Sequence, residues 1–329
     1  MDYLALLQAL NSCHGPAGDE GEIAEAIRTL AAPYVDEYTI DTMGNLIVHK
    51  KGSGPKVMFA AHMDSSGLIV THIDEKGYLS FGKLGGIHPE NLLHTPVRFK
   101  KGLRGVVSLR GDTAWKNMTI NDLFIDIGAK NEDEARSMVE IGDTAVADFS
   151  VCAMGTRLSG PYMDNRISCA AMLEALSLIR THTNDLYCVF TVQEELGLRG
   201  SKPAAFSIDP EYGIAVDVTL ADELDAKGKG SSVLGGGAAI KVMDNSVICH
   251  KSVVDTLEKL ASDQEIPYQL DVITGGGTDA GSIHIARSGV RTGGISIPCR
   301  YMHSPVETVE TTDVSAAAKL IAAFAEAKL

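Results

Sequence analysis

The sequence has few cysteines, no C-x-x-C pair and no long apolar run among its 329 residues. Several of the six cysteines lie within apolar segments, so we expect buried free thiols rather than disulfides in a chain of this size. No apolar stretch is long enough to span a bilayer, and no basic region precedes the apolar residues near Met1. We therefore expect no membrane span and a cytoplasmic location.

Basic residues are also in the minority. The chain has 43 acidic and 29 basic side chains and a formal net charge of −14. This balance disfavours nucleic acids and anionic membranes as partners, because both repel a negative surface. With 45% hydrophobic residues, the chain can bury a large core and is long enough for two domains.

Polar residues that can bind a divalent metal follow several short apolar runs. These residues and the runs before them are His62 after 57–61, Glu194 after 188–192, Asp217 after 214–216 and His303 after 294–298. Short apolar runs of this kind predict buried parallel strands. In an open α/β sheet, ligands bind beyond the carboxyl ends of the strands, so we expect these residues to converge there.

Hydrophobic periodicity divides the chain into three parts. Residues 1–66 predict helices at 3–12 and 19–30 followed by strands, which is α/β material. Residues 67–151 predict short alternating strands with many glycines, as in an inserted β-rich domain. Residues 152–329 return to strands alternating with helices, predicted at 168–181, 252–262 and 313–328. We therefore predict a discontinuous α/β catalytic domain with a central, mostly parallel sheet flanked by helices.

Five side chains could form a two-metal hydrolase site. They are His62, Asp164, Glu195, Asp217 and His303. Imidazoles and carboxylates suit zinc, cobalt or manganese, and two divalent ions with three carboxylates and a hydroxide are close to neutral. An isolated H-x-D motif is more often structural than catalytic, and an E-E pair is usually exposed at the surface. Asp217 is different, because an aspartate within a buried apolar strand needs a charged or hydrogen-bonding partner or a metal.

Two further carboxylates lie beside these candidate ligands. Asp64 is two residues beyond His62, a spacing at which it could accept the second imidazole N–H and fix the tautomer. Glu194 and Glu195 project in different directions, so one can bind a metal while the other acts as general base. The residues alone leave open which glutamate has which role.

A glycine-rich segment precedes Thr278 and Asp279. Residues 275–277 are three consecutive glycines, but the segment lacks the P-loop lysine and the spacing of a dinucleotide-binding motif. We therefore expect the wall of a substrate pocket, which Thr278 and Asp279 would face.

Six segments extend over nearly the whole chain: AAHMD, MDNR, TVQEELGLRGS, AVDVT, GGGTDAGSIHIARSGV and ISIPCRYMHSPVE. In content and order they resemble the tetrahedral, or glutamyl, aminopeptidases, a family of dinuclear metallopeptidases whose members are sometimes labelled endoglucanases. The resemblance implies roles that are assigned as follows: His62 and Asp217 on one metal, Glu195 and His303 on the other, Asp164 bridging, Glu194 as base and Asp64 as orienting carboxylate.

The resemblance also implies an architecture and an assembly. A small β-barrel-like domain used for dimerisation would interrupt the catalytic domain, and dimers would form a twelve-subunit tetrahedral shell. Related deacylases and carboxypeptidases carry their extra domain later in the chain, whereas here the interruption falls between Asp64 and Asp164. This position favours the aminopeptidase.

The chain departs from the family pattern at a few positions. Ser65 and Ser66 replace an acidic and a branched apolar residue, and Asn165 replaces a second aspartate. The pattern after Asp217 is only loosely kept in residues 219–230, which we expect to shape the pocket. No metal ligand is lost, so these departures bear on substrate preference.

We therefore expect a cytoplasmic metalloaminopeptidase that removes amino-terminal residues from peptides through a bridging water on two divalent metals. One alternative is a deacylase or other hydrolase of the same chemistry, acting on an N-acyl amino acid or a glycoside. The other is an assembly protein without turnover, against which the presence of every candidate residue argues.

Overall fold

The computed structural model describes residues 1–221 and 232–329, so most of the 219–230 segment lies outside the described residues. The helices are α1 Tyr3–Ser12, α2 Gly21–Ala31, α3 Pro89–Leu92, α4 Glu132–Met138, α5 Met163–Leu178, α6 Ser201–Ile208, α7 Lys251–Asp263, α8 Ala280–Ile283 and α9 Thr311–Glu326. The strands are β1 Glu37–Ile40, β2 Leu46–Lys50, β3 Lys56–His62, β4 Gly67–Ile73, β5 Leu79–Leu84, β6 Pro96–Phe99, β7 Arg104–Leu109, β8 Leu123–Asp126, β9 Thr144–Ala147, β10 Cys152–Met154, β11 Arg157–Gly160, β12 Asp185–Thr191, β13 Tyr212–Leu220, β14 Ala238–Met243, β15 Tyr268–Val272, β16 Arg291–Arg300 and β17 Glu307–Glu310.

The larger sheet is parallel at its centre and antiparallel toward its edges. Strands β12, β3, β13 and β16 lie side by side in parallel, and the complete order is β1-β2-β12-β3-β13-β16-β17-β11-β10, with β14 and β15 joined to β16. The predicted α/β class is confirmed. The sheet as a whole is mixed because hairpins such as β1–β2 and β10–β11 add antiparallel strands.

The central strands are buried on both faces. In β3, Phe59 and Ala61 belong to the core that α5 and α9 cover, whereas Met58 and Ala60 face the cluster formed with α6 and α8. The ring of Phe59 meets Phe324 of α9 edge to face, with centroids 6.2 Å apart. Burial on both faces explains the continuous apolar run before His62.

The strands between Gly67 and Ala147 form a separate closed barrel. Its order is β4-β5-β8-β7-β6-β9, and closure leaves no open sheet edge within it. The barrel has its own apolar core, which includes Leu79, Val107 and Ile125. The inserted β-rich segment thus has a core distinct from that of the large sheet.

Some local features differ from the sequence predictions. Helix α5 is assigned from Met163 rather than residue 168, although Asp164 and Asn165 have non-helical dihedral angles. All six cysteines are free thiols, but Cys152 is exposed because β10 lies at the sheet edge. Within residues 1–221 and 232–329, no helix has the length and apolar character needed to cross a membrane.

Phe59→Ala is expected to lower the free energy of unfolding by about 3–5 kcal/mol, because it opens a cavity at a fully buried position and removes the contact with Phe324. Phe59→Leu keeps most of the apolar volume and should be markedly less destabilising. Urea unfolding of both variants at one protein concentration measures the difference. Equal midpoints for the two variants would contradict this account.

Candidate functional site

The predicted ligands converge at the carboxyl ends of the parallel strands. His62 is the last residue of β3, and Asp217 lies within β13, which continues to Leu220. The glutamate pair follows the end of β12 at Thr191, and His303 follows the end of β16 at Arg300. Asp164 enters from the start of α5. Parallel strand order therefore brings together residues separated by up to 241 positions in the printed sequence.

Asp164 lies between two groups of possible metal donors. Its Oδ1 is 3.0 Å from His62 Nε2, and its Oδ2 is 3.2 Å from His303 Nε2. On the first side, Asp217 Oδ1 is 3.7 Å from His62 Nε2, and on the second, Glu195 Oε2 is 4.0 Å from His303 Nε2. Within each group of three, the donor atoms lie within 4.8 Å of one another.

Both imidazoles are oriented by backbone carbonyls. His62 Nδ1 donates to the carbonyl oxygen of Asp64 at 3.1 Å, and His303 Nδ1 donates to that of Gly86 at 2.9 Å. These bonds place a proton on Nδ1 and turn Nε2 of each ring toward Asp164, where it could bind a metal ion in place of its contact with that carboxylate.

The carboxylate of Asp64 has a different contact from the one the spacing suggests. It lies 3.6 Å from His62 Nδ1, while Oδ1 accepts the backbone N–H of Glu194 at 3.0 Å and Oδ2 that of Glu195 at 3.2 Å. The orienting contact to His62 is therefore made by the backbone of Asp64. Its side chain holds the turn that carries both glutamates, because those two amides have no strand partner.

Glu194 faces the first donor group without being closest to it. Its Oε2 lies 3.9 Å from His62 Nε2, and its side chain is 12% exposed. Burial raises the pKa of the Glu194 carboxyl well above its ordinary value, and the charges of Asp217, Asp279 and Glu195 raise it further, against the lowering effect of His62. A carboxyl group with this increased proton affinity suits a general base.

The site has more buried carboxylates than cationic partners. Burial raises the pKa of Glu195 to about 7 and that of Asp217 to about 6. Burial alone would also raise the pKa of Asp164, but its hydrogen bonds to His303 and His62 hold it below its usual value. The hydrogen bond to Asp164 raises the pKa of His303 to about 10. Oxygen and imidazole donors around this excess negative charge fit divalent metal ions.

The inserted barrel segment contributes to the second donor group. Gly86 follows β5, and its N–H lies 3.4 Å from Glu195 Oε2. A Cβ atom at Gly86 would lie 2.6 Å from His303 Nδ1, and one at Gly85 would lie 2.7 Å from Glu195 Oε2. Only glycine allows the backbone to approach these two side chains so closely.

A cavity of about 370 Å³ opens over the donor groups. Its other lining residues are Gly86, Glu194, Gly197, Leu198, Val218, Gly276, Gly277 and Met302. The glycine-rich segment therefore forms part of the wall, as expected. Thr278 and Asp279 are buried behind it, since Thr278 Oγ1 lies 3.4 Å from Asp244 Oδ2 and Asp279 Oδ2 accepts from Thr191 Oγ1 at 2.6 Å.

Some residues that hold the site are not apparent from the sequence. Glu307 accepts the backbone N–H of Asp164 at 2.9 Å and that of His303 at 2.7 Å. Glu20 accepts the N–H of Gln193 at 3.1 Å. Glu20 precedes α2, where an acidic residue ordinarily interacts with the helix dipole in solvent, so its sequence context did not distinguish it.

The departures from the family pattern have defined contacts. Asn165 donates its side-chain N–H to the carbonyl oxygen of Val216 at 2.9 Å, a bond that an ionised aspartate could not donate. Ser65 Oγ lies 3.3 Å from the carbonyl oxygen of Gly15, to which it donates. Both residues therefore support neighbouring backbone rather than the cavity.

Comparisons with known proteins identify the family of this chain. The model of the M42 glutamyl aminopeptidase family matches residues 44–320. The lysyl aminopeptidase of Pyrococcus furiosus is 41% identical over 321 residues, which cover 92% of this chain and 91% of that protein. The structure of an aminopeptidase from the archaeon Desulfurococcus kamchatkensis superposes with a TM-score of 0.94 at 40% identity, covering 98% of this chain and 94% of the other.

A further similar structure bears on assembly. The TET1 peptidase of Pyrococcus horikoshii is 33% identical with a TM-score of 0.88, and the match covers 98% of each chain. That peptidase is described as assembling into a tetrahedron or a large octahedral shell. The family match extends over most of the sequence and includes all five residues of the two donor groups. The chain therefore belongs to the M42 glutamyl aminopeptidase family of metal-dependent aminopeptidases.

Proposed function

We propose that this aminopeptidase hydrolyses amino-terminal peptide bonds at a site for two divalent metal ions. The observation that carries the proposal is the position of Asp164, whose two carboxylate oxygens face two different histidines. The ligands are assigned as His62 and Asp217 for one ion, Glu195 and His303 for the other, and Asp164 for both. Zinc and cobalt suit this mixture of imidazole and carboxylate donors, and manganese is a third candidate.

The side chains of the site divide the hydrolytic steps among them. When bound, the two ions polarise the scissile carbonyl and increase the acidity of the attacking water. Glu194 accepts the proton of that water and returns it to the departing amine, since its buried carboxyl has a raised proton affinity. The carboxylate of Asp64 keeps Glu194 in place by accepting the backbone N–H of Glu194.

The cavity supports a peptide substrate with a free amino end. Its carboxylates attract the substrate ammonium group, and Leu198, Val218 and Met302 offer apolar contacts. We assign Thr278 and Asp279 to the support of the pocket wall, behind Gly276 and Gly277. We also propose that the protein is cytoplasmic.

The assembly proposed for this chain is a homo-oligomer of twelve subunits arranged as a tetrahedron. It is supported by the match over almost the whole chain to the TET1 peptidase, for which a tetrahedral form is described. The closed barrel between Gly67 and Ala147 is the proposed dimerisation domain, within boundaries of 67–151.

Asp164→Ala is expected to abolish binding of both ions, because the substitution removes the ligand that the two donor groups share. His303→Ala should leave the first group intact and retain one ion per subunit. Elemental analysis after equilibration with zinc measures both stoichiometries, and circular dichroism verifies folding. Two ions per subunit in folded Asp164→Ala would disprove the bridging assignment.

Glu194→Gln should reduce kcat at least ~100-fold, because the amide cannot accept the proton of the attacking water. The metal content should remain two ions per subunit, since Glu194 is not an assigned ligand. The assay uses a free-amine aminoacyl chromogenic substrate with added zinc or cobalt, and Glu211→Gln is a surface control. Unchanged turnover would exclude Glu194 as the base, and wild-type preference for the N-acetylated substrate would favour a deacylase.

Sedimentation should show a particle of roughly twelve times the 34.9 kDa chain mass. The proposed reason is that dimers formed through the barrel have further surfaces that close a tetrahedral shell. Measurement by analytical ultracentrifugation over a range of protein concentrations would separate a closed shell from weak association. A dimer at every concentration would contradict the twelve-subunit proposal.

A further inference from the structure

The turn that carries the two glutamates is held by side chains from other parts of the chain. The backbone N–H of Val192 is accepted by Asn45 Oδ1 at 3.0 Å, and the next one, of Gln193, by Glu20 Oε1 at 3.1 Å. The amides of Glu194 and Glu195 are accepted by Asp64, as described above. Four consecutive backbone donors are thus satisfied by three side chains.

These side-chain acceptors replace the hydrogen-bond partners that the backbone amides lose where β12 ends. The pairing of β12 with β3 stops at Thr191, so the following amides have no ladder partner. Gln193 then adopts a left-handed conformation with φ of 53°, which costs energy for a residue with a side chain. The conformation of Gln193 sets the direction in which the next residue, Glu194, leaves the backbone. A contact that holds the Gln193 amide therefore bears on the orientation of the proposed base.

Glu20 makes that contact from the amino-terminal part of the chain. It is only 7% exposed, and the same Oε1 atom also accepts the N–H of Gly18 at 2.7 Å. Burial raises the pKa of its carboxyl to about 7. An acidic residue placed only to interact with the amino end of α2 would remain in solvent, where its charge costs less.

The loop around Glu20 also contacts the segment that follows His62. Ser65 donates its N–H to the carbonyl oxygen of Gly15 at 2.9 Å, and Ala17 donates to that of Ser65 at 3.0 Å. Ser65 directly follows Asp64, whose carboxylate holds Glu194 and Glu195. The loop is therefore hydrogen-bonded to both segments that form the site, and Glu20 is its side-chain link to the glutamate turn.

We propose that Glu20 is a positioning residue for hydrolysis, acting through the Gln193 amide on the orientation of Glu194. The inference rests on the proposed function of Glu194 as general base. Glu20 itself is neither a metal ligand nor a proton carrier in this scheme. Glu20 Oε1 accepts both N–H groups. We therefore assign the positioning of the turn to this acceptor atom and not to the charge of the carboxylate. A neutral carboxamide should therefore replace it.

The test compares Glu20→Ala with Glu20→Gln in the full-length, metal-loaded protein. Glu20→Ala is expected to lower kcat roughly 10- to 100-fold, the scale of a displaced catalytic group, with KM and metal content nearly unchanged. Glu20→Gln should retain kcat within about threefold, because its side-chain oxygen can accept the same two bonds. Glu25→Ala is the matched control, since Glu25 is an exposed glutamate on α2 that pairs with Arg28.

Hydrogen–deuterium exchange gives a readout that does not depend on turnover. Faster exchange across residues 190–198 is expected in Glu20→Ala and not in Glu20→Gln or Glu25→Ala. If Glu20→Ala keeps full kcat and normal exchange, the inference is overturned while the proposed function stands. If both Glu20 variants lose kcat equally, a neutral acceptor does not suffice and the positioning account is wrong. An inactive wild type would refute the proposed function, and unchanged exchange in Glu20→Ala would then refute the inference separately.

Discussion

The central physical constraint in this molecule is the burial of several carboxylates at the ends of four parallel strands. Asp164, Glu195 and Asp217 lie in a region of low exposure, where the described residues offer the imidazoles of His62 and His303 as their cationic partners. Removing this much negative charge from water is costly unless other charges compensate for it. Divalent ions would provide that compensation, so the stability of the site and its proposed chemistry depend on the same electrostatic requirement.

The rest of the fold keeps these side chains in fixed directions. The central strands are packed on both faces, so their carboxyl ends are rigid, and the turns beyond them are fastened by hydrogen bonds to backbone amides. Asp64, Glu20 and Glu307 each accept such bonds from residues of the site or next to it. Much of the acidic character around the centre therefore serves to orient backbone rather than to bind a metal. The barrel segment adds Gly85 and Gly86, which approach the second donor group closely.

Much of the site was predictable because each candidate donor residue follows a recognisable apolar run or belongs to a distinctive motif. His62, Asp217 and His303 could be selected in this way, and their convergence follows from the general behaviour of parallel strands. The contacts of Asp64 were not predictable from its spacing to His62, since its carboxylate accepts hydrogen bonds from backbone amides 130 and 131 residues away. Thr278 and Asp279 were expected at the pocket surface, but the neighbouring glycines take that position because the bulkier side chains find buried partners in Asp244 and Thr191.

The sequence by itself determined the α/β class, the inserted β-rich segment and the identities of the candidate donors, because these depend on periodicity and on short motifs. The tertiary structure alone decided that Asp164 presents one oxygen to each histidine, that the barrel closes and contributes Gly86, and that Glu20 supports the glutamate turn. Such features depend on distances between residues far apart in the chain. Local sequence patterns carry no measure of those distances, which are set by strand order and by packing between layers.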